Sequence, residues 1–591
     1  MHKYNFGIIG NCSYLAYIDT NANVIWACLP RFDSSFIFGS LLDQEKGGEF
    51  SVRPAVDGFS SKQYYLENTN VLCTEFTCSE GSFRVTDFAP RFRNHDRNFK
   101  PQMLVRKVEP LQGRPSVKVK CTPVGNYGGI QPEIVSGSNH IRYFLKDSQA
   151  RLTTNLPLSV VHNSSSFVLS ETAYLFFSYG IPLEGPLEET SETFLKKTIQ
   201  YWRDWIKTTS IPTIYQKEII RSALVLKLHQ YEDTGGIIAS GSTSLPEHDQ
   251  SGRTWDYRYC WMRDAFYTLK ALNSLGHFEE LEKYFHYIEN IIHNRTSSHI
   301  QPLYSITGES KLVEKELPLA GYLGNQPVRI GNDAYTHIQN DVYGQVLVSL
   351  QPLYTDQRLV AKMRSKSLEL IHFLLDRIAE TMDEPDAGLW EFRNKSQLHS
   401  YTFLFHWAGS KAAGKIGREL NDAAMEAKAL QLETQAAAQL EKCFDHRTGA
   451  YTQAIGSPHM DASTLQFITM NYLTTNNPRS HTHFNHLVNQ LMADNGLLYR
   501  YTHADDFGKP ESAFLVCSFW YAEALACLGK VDDAIATMDR LLKYTNHLGI
   551  FSEDVDMKGG QWGNYPQTYS HVGLMNTAFR IARKLDVPMF F

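Results

Sequence analysis

From about residue 212 onward, stretches with apolar residues at i, i+3 and i+4 follow one another, and the connections between them are alternately short and long. Twelve such stretches are predicted, near 212–231, 263–275, 277–293, 334–352, 357–380, 400–415, 421–443, 462–473, 481–493, 512–528, 531–545 and 569–585. Links from the second to the third, the fourth to the fifth, the sixth to the seventh and the tenth to the eleventh span only a few residues. The connections near 232–262, 294–333, 381–399, 444–461, 494–511 and 546–568 are long. Loops beyond about 12 to 15 residues in a compact domain are usually functional or disordered. Six long loops on alternate connections all emerge at one end of an array of antiparallel hairpins. The economical solution is six hairpins closed into an (α/α)6 barrel with a pocket at that end. An open solenoid would show a sequence motif repeating at a fixed period, and none is present.

Residues 1–190 have a different texture. Short runs with period-two alternation, such as Ser82 to Phe88, Val117 to Cys121 and Phe167 to Tyr179, are broken by Gly, Pro, Asn and Asp, with no long amphipathic helix between them. That pattern predicts an antiparallel β-sandwich. The segment beginning at Phe194 has helical periodicity through Trp202 and Trp205, so 191–211 reads as a linker helix and 212–591 as the all-α barrel.

Charge and cysteine usage narrow the function classes. With 57 Lys+Arg against 63 Asp+Glu, a net charge of −6 disfavours a sequence-independent nucleic-acid binder. Nine scattered cysteines without a Cys-x-x-Cys pair read as buried free thiols in a reducing compartment. No apolar run suits a signal peptide or a membrane span, so the expectation is a cytoplasmic protein without a membrane partner. Oligomeric state leaves no mark in the sequence.

The chemistry lies in the loops. The first carries Trp255-Asp-Tyr-Arg-Tyr-Cys-Trp-Met-Arg-Asp264, where rings that stack on pyranose faces alternate with Arg and Asp that pair with adjacent hydroxyls. Asp264 also stands where the loop enters a helix, as an N-cap would. The third reads Asp386-Ala-Gly-Leu-Trp-Glu-Phe-Arg393 and the sixth Gly549-Ile-Phe-Ser-Glu-Asp-Val-Asp556. Glycoside hydrolysis needs two carboxyls, one to donate a proton and one to accept it. Glu391, beside Trp390, is the candidate acid, and Glu553 the candidate base, with Asp554 and Asp556 as its neighbours and rivals. The cluster His481-Thr-His483-Phe-Asn-His486 reads as surface histidines, Asp383-Glu384-Pro-Asp386 as a solvated helix exit, and no metal or cofactor is expected. Phosphate-loop, serine-elbow and zinc-protease signatures do not occur.

On these residues the chain resembles glycoside hydrolase family 15, the glucoamylase, glucodextranase and trehalase family, in its bacterial and archaeal branch. Ile25-Trp-Ala-Cys-Leu-Pro-Arg-Phe-Asp-Ser34 resembles that branch's opening, and Ser244-Leu-Pro-Glu247 with Trp255 to Asp264 resembles its first substrate loop. By that similarity Arg263 and Asp264 grip the terminal glucose, Tyr257 and Trp261 shape the subsite, and Trp390 belongs to the acid motif Leu389-Trp390-Glu391. Ser552-Glu553, ahead of Gly563 to His571, matches the base loop, and Arg500-Tyr501 resembles a further arginine reaching the sugar. Phe392 stands where many fungal members have a second Glu.

The resemblance implies an exo-acting, inverting α-glucosidase with a small α-glucoside as its partner molecule. An apolar Phe392 and no evident starch-binding module order the substrates as short α-glucans first and trehalose second. A non-catalytic carbohydrate regulator and a phosphorylase on the same scaffold are the rival readings, and both are opposed by the presence of Glu553.

Overall fold

The computed structural model describes residues 1–146, 148–295, 297, 299–356 and 368–585. Up to Tyr179 the chain is built of antiparallel sheets. Phe6–Gly10, Leu15–Asp19, Val24–Cys28 and Phe36–Phe38 form a four-stranded meander, and an eight-stranded sheet runs from Glu133–Ser136 at one edge to Ser60–Tyr65 at the other. A third sheet joins Ser166–Val168, Ser116–Thr122 and Glu49–Pro54. Alternation sets the faces: in Ser116–Thr122, Val117, Val119 and Cys121 are buried while Lys120 and Thr122 are exposed. Residues from all three sheets, among them Ile9, Phe50, Val52, Phe76, Val119 and Phe177, share one core, which makes this part the expected sandwich. Within it lies a fully buried ion pair, with Arg106 Nε donating to Asp87 at 2.7 Å and the rest of the guanidinium to the carbonyls of Phe50 and Ala22.

A short helix α1 (Leu158–His162) belongs to this domain. The linker helix α2 runs Leu187–Lys207, four residues earlier at each end than 191–211. Pro186 presets the entry, Glu188 and Glu189 favour the first turn, and Thr208 closes the helix before Pro212. Leu187, Phe194, Leu195 and Ile199 pack against Val105 and Phe176 of the sandwich.

The helices of the second domain are α3 (Gln216–His229), α4 (Met262–Leu275), α5 (Phe278–His293), α6 (Asp341–Thr355), α7 (Leu368–Thr381), α8 (Ser400–Glu419) and α9 (Ala423–Lys442). They continue as α10 (Gln466–Thr469), α11 (Pro478–Leu491), α12 (Leu515–Cys527), α13 (Val531–Leu541) and α14 (Thr568–Leu585). Helix α4 packs on α6, α6 on α8, α8 and then α12 on the α10 segment, α12 on α14, and α14 back on α4, which closes an inner ring of six. Helices α5, α7, α9, α11, α13 and α3 form the outer ring, and the long loops gather at one end.

Some boundaries differ from the periodicity. Residues 334–340 are a 3-10 turn and loop ahead of α6, because Asn332 caps the turn through the amide of Ala334. The stretch expected over 462–473 is a 3-10 turn at Ala462–Leu465 followed by four α-helical residues. Residues 357–367 of the predicted fifth helix lie outside the described residues. Two surface readings are also corrected. His483 is fully buried in α11, with its ring accepting from the amide of Tyr451 at 3.2 Å, and burial lowers its imidazole to about 4. Asp386 is 1% exposed and lies inside the acid loop, where it serves as an internal brace. No helix among the described residues is long and apolar enough to cross a membrane.

Candidate active site

Five of the six long loops meet in one pocket at the loop end of the barrel. It is lined by Glu247, Arg253, Trp255 and Tyr257 from the first loop, Asn332 and His337 from the second, and Leu389 to Arg393 from the third. Arg500, Tyr501 and Asp505 to Phe507 come from the fifth, Glu553 from the sixth, and Arg263 and Tyr569 from the flanking helices. Both candidate carboxyls therefore line the same space.

Glu391 sits on a tight turn with φ of 59°, in the left-handed region that non-glycine residues rarely adopt outside functional sites. The turn is built from below. Asp386 Oδ1 accepts from the amide of Gly388 at 3.1 Å and pairs with His399 Nδ1 at 2.7 Å, and its Oδ2 accepts from Asn340 N and Thr402 Oγ1 at 2.9 and 2.8 Å. Gly388 has φ of 69°, and a Cβ there would fall 2.6 Å from the His399 ring, so the position requires glycine. Above this brace the Glu391 carboxyl is oriented through one oxygen. Trp261 Nε1, Arg263 Nη1 and Gln339 Nε2 all donate to Oε1, at 2.7, 3.1 and 3.3 Å. Arg263 also donates to Leu389 O at 2.8 Å and pairs with Asp264 at 3.2 Å. Burial pushes the Asp264 carboxyl up to about 6 against the pull of Arg263.

Glu553 is held by backbone on the far side. Its amide donates to Asn564 O at 3.1 Å, and Asn564 N donates back to Oε2 at 2.9 Å. Gly563 makes this possible: a Cβ there would lie 2.6 Å from the Cβ of Glu553. Tyr257 and Arg500 face the carboxyl, and Arg500 Nη2 donates to Glu247 at 2.8 Å. Glu553 is 2% exposed, and burial followed by the neighbouring Glu247 pushes it up to about 8.

The predicted residues thus gather in two clusters. Arg263 contacts Glu391 directly, Trp261 donates to Glu391, and Asp264 pairs with Arg263. Asp264 lies in the first turn of α4 and makes no N-cap bond, since Trp261 occupies the cap position. Tyr257, Trp390 and Arg500 line the pocket. Phe392 lines it too, packed against His399, Tyr501 and His503 at ring separations of 5.6 to 6.1 Å. Asp556 points away, accepting from Trp562 Nε1 at 2.8 Å. Glu247 and Gln339 carry site contacts that the sequence reading did not assign. Glu247 follows Ser244-Leu-Pro and could have been singled out by that context, whereas Gln339 lies in a polar loop without a distinguishing pattern.

Comparison with known proteins agrees with this architecture. Residues 213–579 match the family model for glycosyl hydrolases family 15, and residues 5–154 match a trehalase-like N-terminal domain. A trehalase from Thermoplasma volcanium is 31% identical, covering 98% of this chain and 93% of its own, and one from Thermoplasma acidophilum is 31% identical over 96% and 97%. A trehalase from Mycobacterium tuberculosis is 29% identical over 98% and 89%. Among solved structures, a bacterial glucoamylase complexed with acarbose superposes with a TM-score of 0.68 at 15% identity, covering 98% of this chain and 94% of that one, a likeness of fold. With a family match over most of its length and both carboxyls in one pocket, the chain belongs to the glycosyl hydrolases of family 15 and is an O-glycosyl hydrolase acting on a small glycoside.

Proposed function

We propose that this enzyme hydrolyses α,α-trehalose with inversion, Glu391 acting as general acid and Glu553 as general base. The observation that carries the chemistry is the pairing of two differently held carboxyls in one pocket. All three donors to Glu391 fall on Oε1. Oε2 is therefore the oxygen from which a proton passes to the glycosidic oxygen. Glu553, fixed from the opposite loop by Asn564, takes a proton from water as that water's oxygen attacks the anomeric carbon. One water is consumed, and Glu391 and Glu553 exchange roles as proton donor and holder until solvent resets them.

Substrate choice rests on the relatives. An apolar Phe392 and no evident starch-binding module favour short α-glucans over trehalose, but relatives named trehalases match nearly the whole chain, including the N-terminal domain, and this favours the reverse order. Contacts between two loops narrow the mouth beyond the acid. Arg393 N and Asn394 Nδ2 donate to Asp506 at 2.7 and 3.0 Å, tying the acid loop to the loop that follows Arg500. Trp255, Arg393 and Phe507 then pack over the opening, the Arg393 guanidinium lying 4.4 Å from the Trp255 ring centre. Specificity constants on trehalose, maltose, isomaltose and a dextran test the reading. Trehalose is expected to exceed each by at least about tenfold, the 1.4 kcal/mol that a buried unpaired polar group costs the wrong substrate. A higher constant for maltose or isomaltose would return the assignment to a short-glucan exo-glucosidase.

A further inference from the structure

We propose that three carboxyls at the base side of the pocket divide their charge unequally: Glu247 is ion-paired with Arg500, Asp554 is held as a neutral carboxylic acid, and Glu553 alone is left free to accept the proton from water. The proposal rests on Glu553 being the base and adds Asp554 and Glu247 as positioning residues.

The geometry forces a division of this kind. Carboxylate oxygens of Glu247, Glu553 and Asp554 lie within 4.8 Å of one another, and the three residues are 4%, 2% and 1% exposed. Three negative charges at that separation in a buried site need matching positive charge. The groups that face them supply too little. Arg500 donates to Glu247 at 2.8 Å. Arg253 approaches Glu247 only to 3.7 Å and spends its guanidinium on Asp505 and on Gly508 O at 3.1 Å. The phenols of Tyr257 and Tyr4 and the thiol of Cys517 on α12 are driven by burial far above their ordinary values and stay neutral.

The hydrogen bonds then identify which carboxyl keeps a proton. Glu553 receives the amide of Asn564, and Glu247 receives Arg500. Asp554 Oδ1 accepts from Ser512 Oγ at 3.0 Å, but its buried Oδ2 has no partner. A buried carboxylate oxygen without a donor is costly, whereas a protonated one is itself a donor toward its neighbours. The direction of titration agrees: burial, and then Glu247 and Glu553, raise Asp554 well above the carboxylate range. A proton parked there lets the second carboxyl, Glu553, ionise beside it.

The test is the pH dependence of kcat/KM on trehalose, whose acidic limb reports ionisation of the base in the free enzyme. Glu247→Gln removes a negative charge facing Glu553, lowers its pKa and moves the limb to lower pH by about one unit or more. Asp554→Asn replaces a neutral acid by a neutral amide, so the limb stays in place even if turnover falls. A limb displaced as far by Asp554→Asn as by Glu247→Gln, or an immobile limb in Glu247→Gln, overturns the proposal. An activity-independent readout comes from infrared spectra of protein labelled with carboxyl-13C aspartate. At neutral pH the wild type is expected to show a protonated-carboxyl band that Asp554→Asn lacks, and identical spectra would contradict it. If Glu553→Gln retains turnover, the base assignment itself has failed. If that variant is inactive while Asp554→Asn shifts the limb, only the present proposal has failed.

Discussion

At the scale of single residues, the two glutamates are unlike in everything but side chain. Glu391 occupies a left-handed backbone position above Asp386 and Gly388, and its carboxyl is clamped through one oxygen by donors from the first and second loops. Glu553 directly precedes the strand Asp554–Asp556, and its carboxyl accepts from the amide of Asn564 while its own amide donates to Asn564 O. Glutamine in either position keeps a carbonyl acceptor for these donors but can neither give nor take the catalytic proton. Glu391→Gln and Glu553→Gln are each expected to lower kcat by about 10² to 10⁴ with thermal unfolding close to wild type. A rate within a few-fold of wild type removes that residue from the mechanism. Both residues were legible in the sequence, because each stands in a long loop beside large apolar neighbours. Asp386 was not. Its place in an acidic run next to proline favours a solvent reading, and only the fold brings Asn340, His399 and Thr402 around it. Glu247 was marked by its Ser244-Leu-Pro context, but its contact with Arg500, 253 residues away, was not.

At the scale of elements, the alternation of short and long connections was readable because it depends on hydrophobic period, which the barrel preserves. Helix ends were less so: α10 is only four residues long after its 3-10 turn, since Asp461 caps that turn through the amide of Ser463. That the sandwich braces the base loop was not legible from residue pattern, because the contacts join segments far apart in the chain. Tyr4 Oη donates to Gly563 O at 2.8 Å and Tyr17 Oη to Tyr565 O at 2.5 Å, one on each side of Asn564. Tyr4→Phe combined with Tyr17→Phe is therefore expected to loosen Asn564 and lower kcat about tenfold, with little change in KM, as for loss of an interaction that matters in the transition state. An equal rise in KM with kcat unchanged would assign the two hydroxyls to substrate affinity. The tie between Asp506 and the Arg393–Asn394 turn has a different expected effect. Asp506→Ala removes three bonds across the mouth. It should raise kcat/KM for an α-linked trisaccharide relative to the disaccharide by several-fold, and a ratio unchanged from wild type would free the strap of any part in chain-length selection.

At the scale of the whole molecule, the sandwich and the barrel act as one support for a pocket at the loop end. Arg258, buried with Asp256 in the first loop, donates to Ser34 O of the sandwich at 2.8 Å, and Trp26 Nε1 donates to Gly241 O at 2.8 Å, so the loop that presents Tyr257 and leads into α4 is anchored from the other domain. The sandwich and barrel were both anticipated from texture, but their interdependence was not, because hydrogen bonds across 215 or more residues leave no periodic signal. The proposed cleavage of trehalose with inversion is best checked by time-resolved proton NMR of the first turnovers on α,α-trehalose. Inversion at one anomeric carbon yields one β-glucose, while the leaving sugar departs as α-glucose, so equal initial amounts of the two anomers are expected before mutarotation. Release of α-glucose alone would mean retention, and no release of glucose would mean that trehalose is not the substrate; either result overturns inverting trehalose hydrolysis in this pocket.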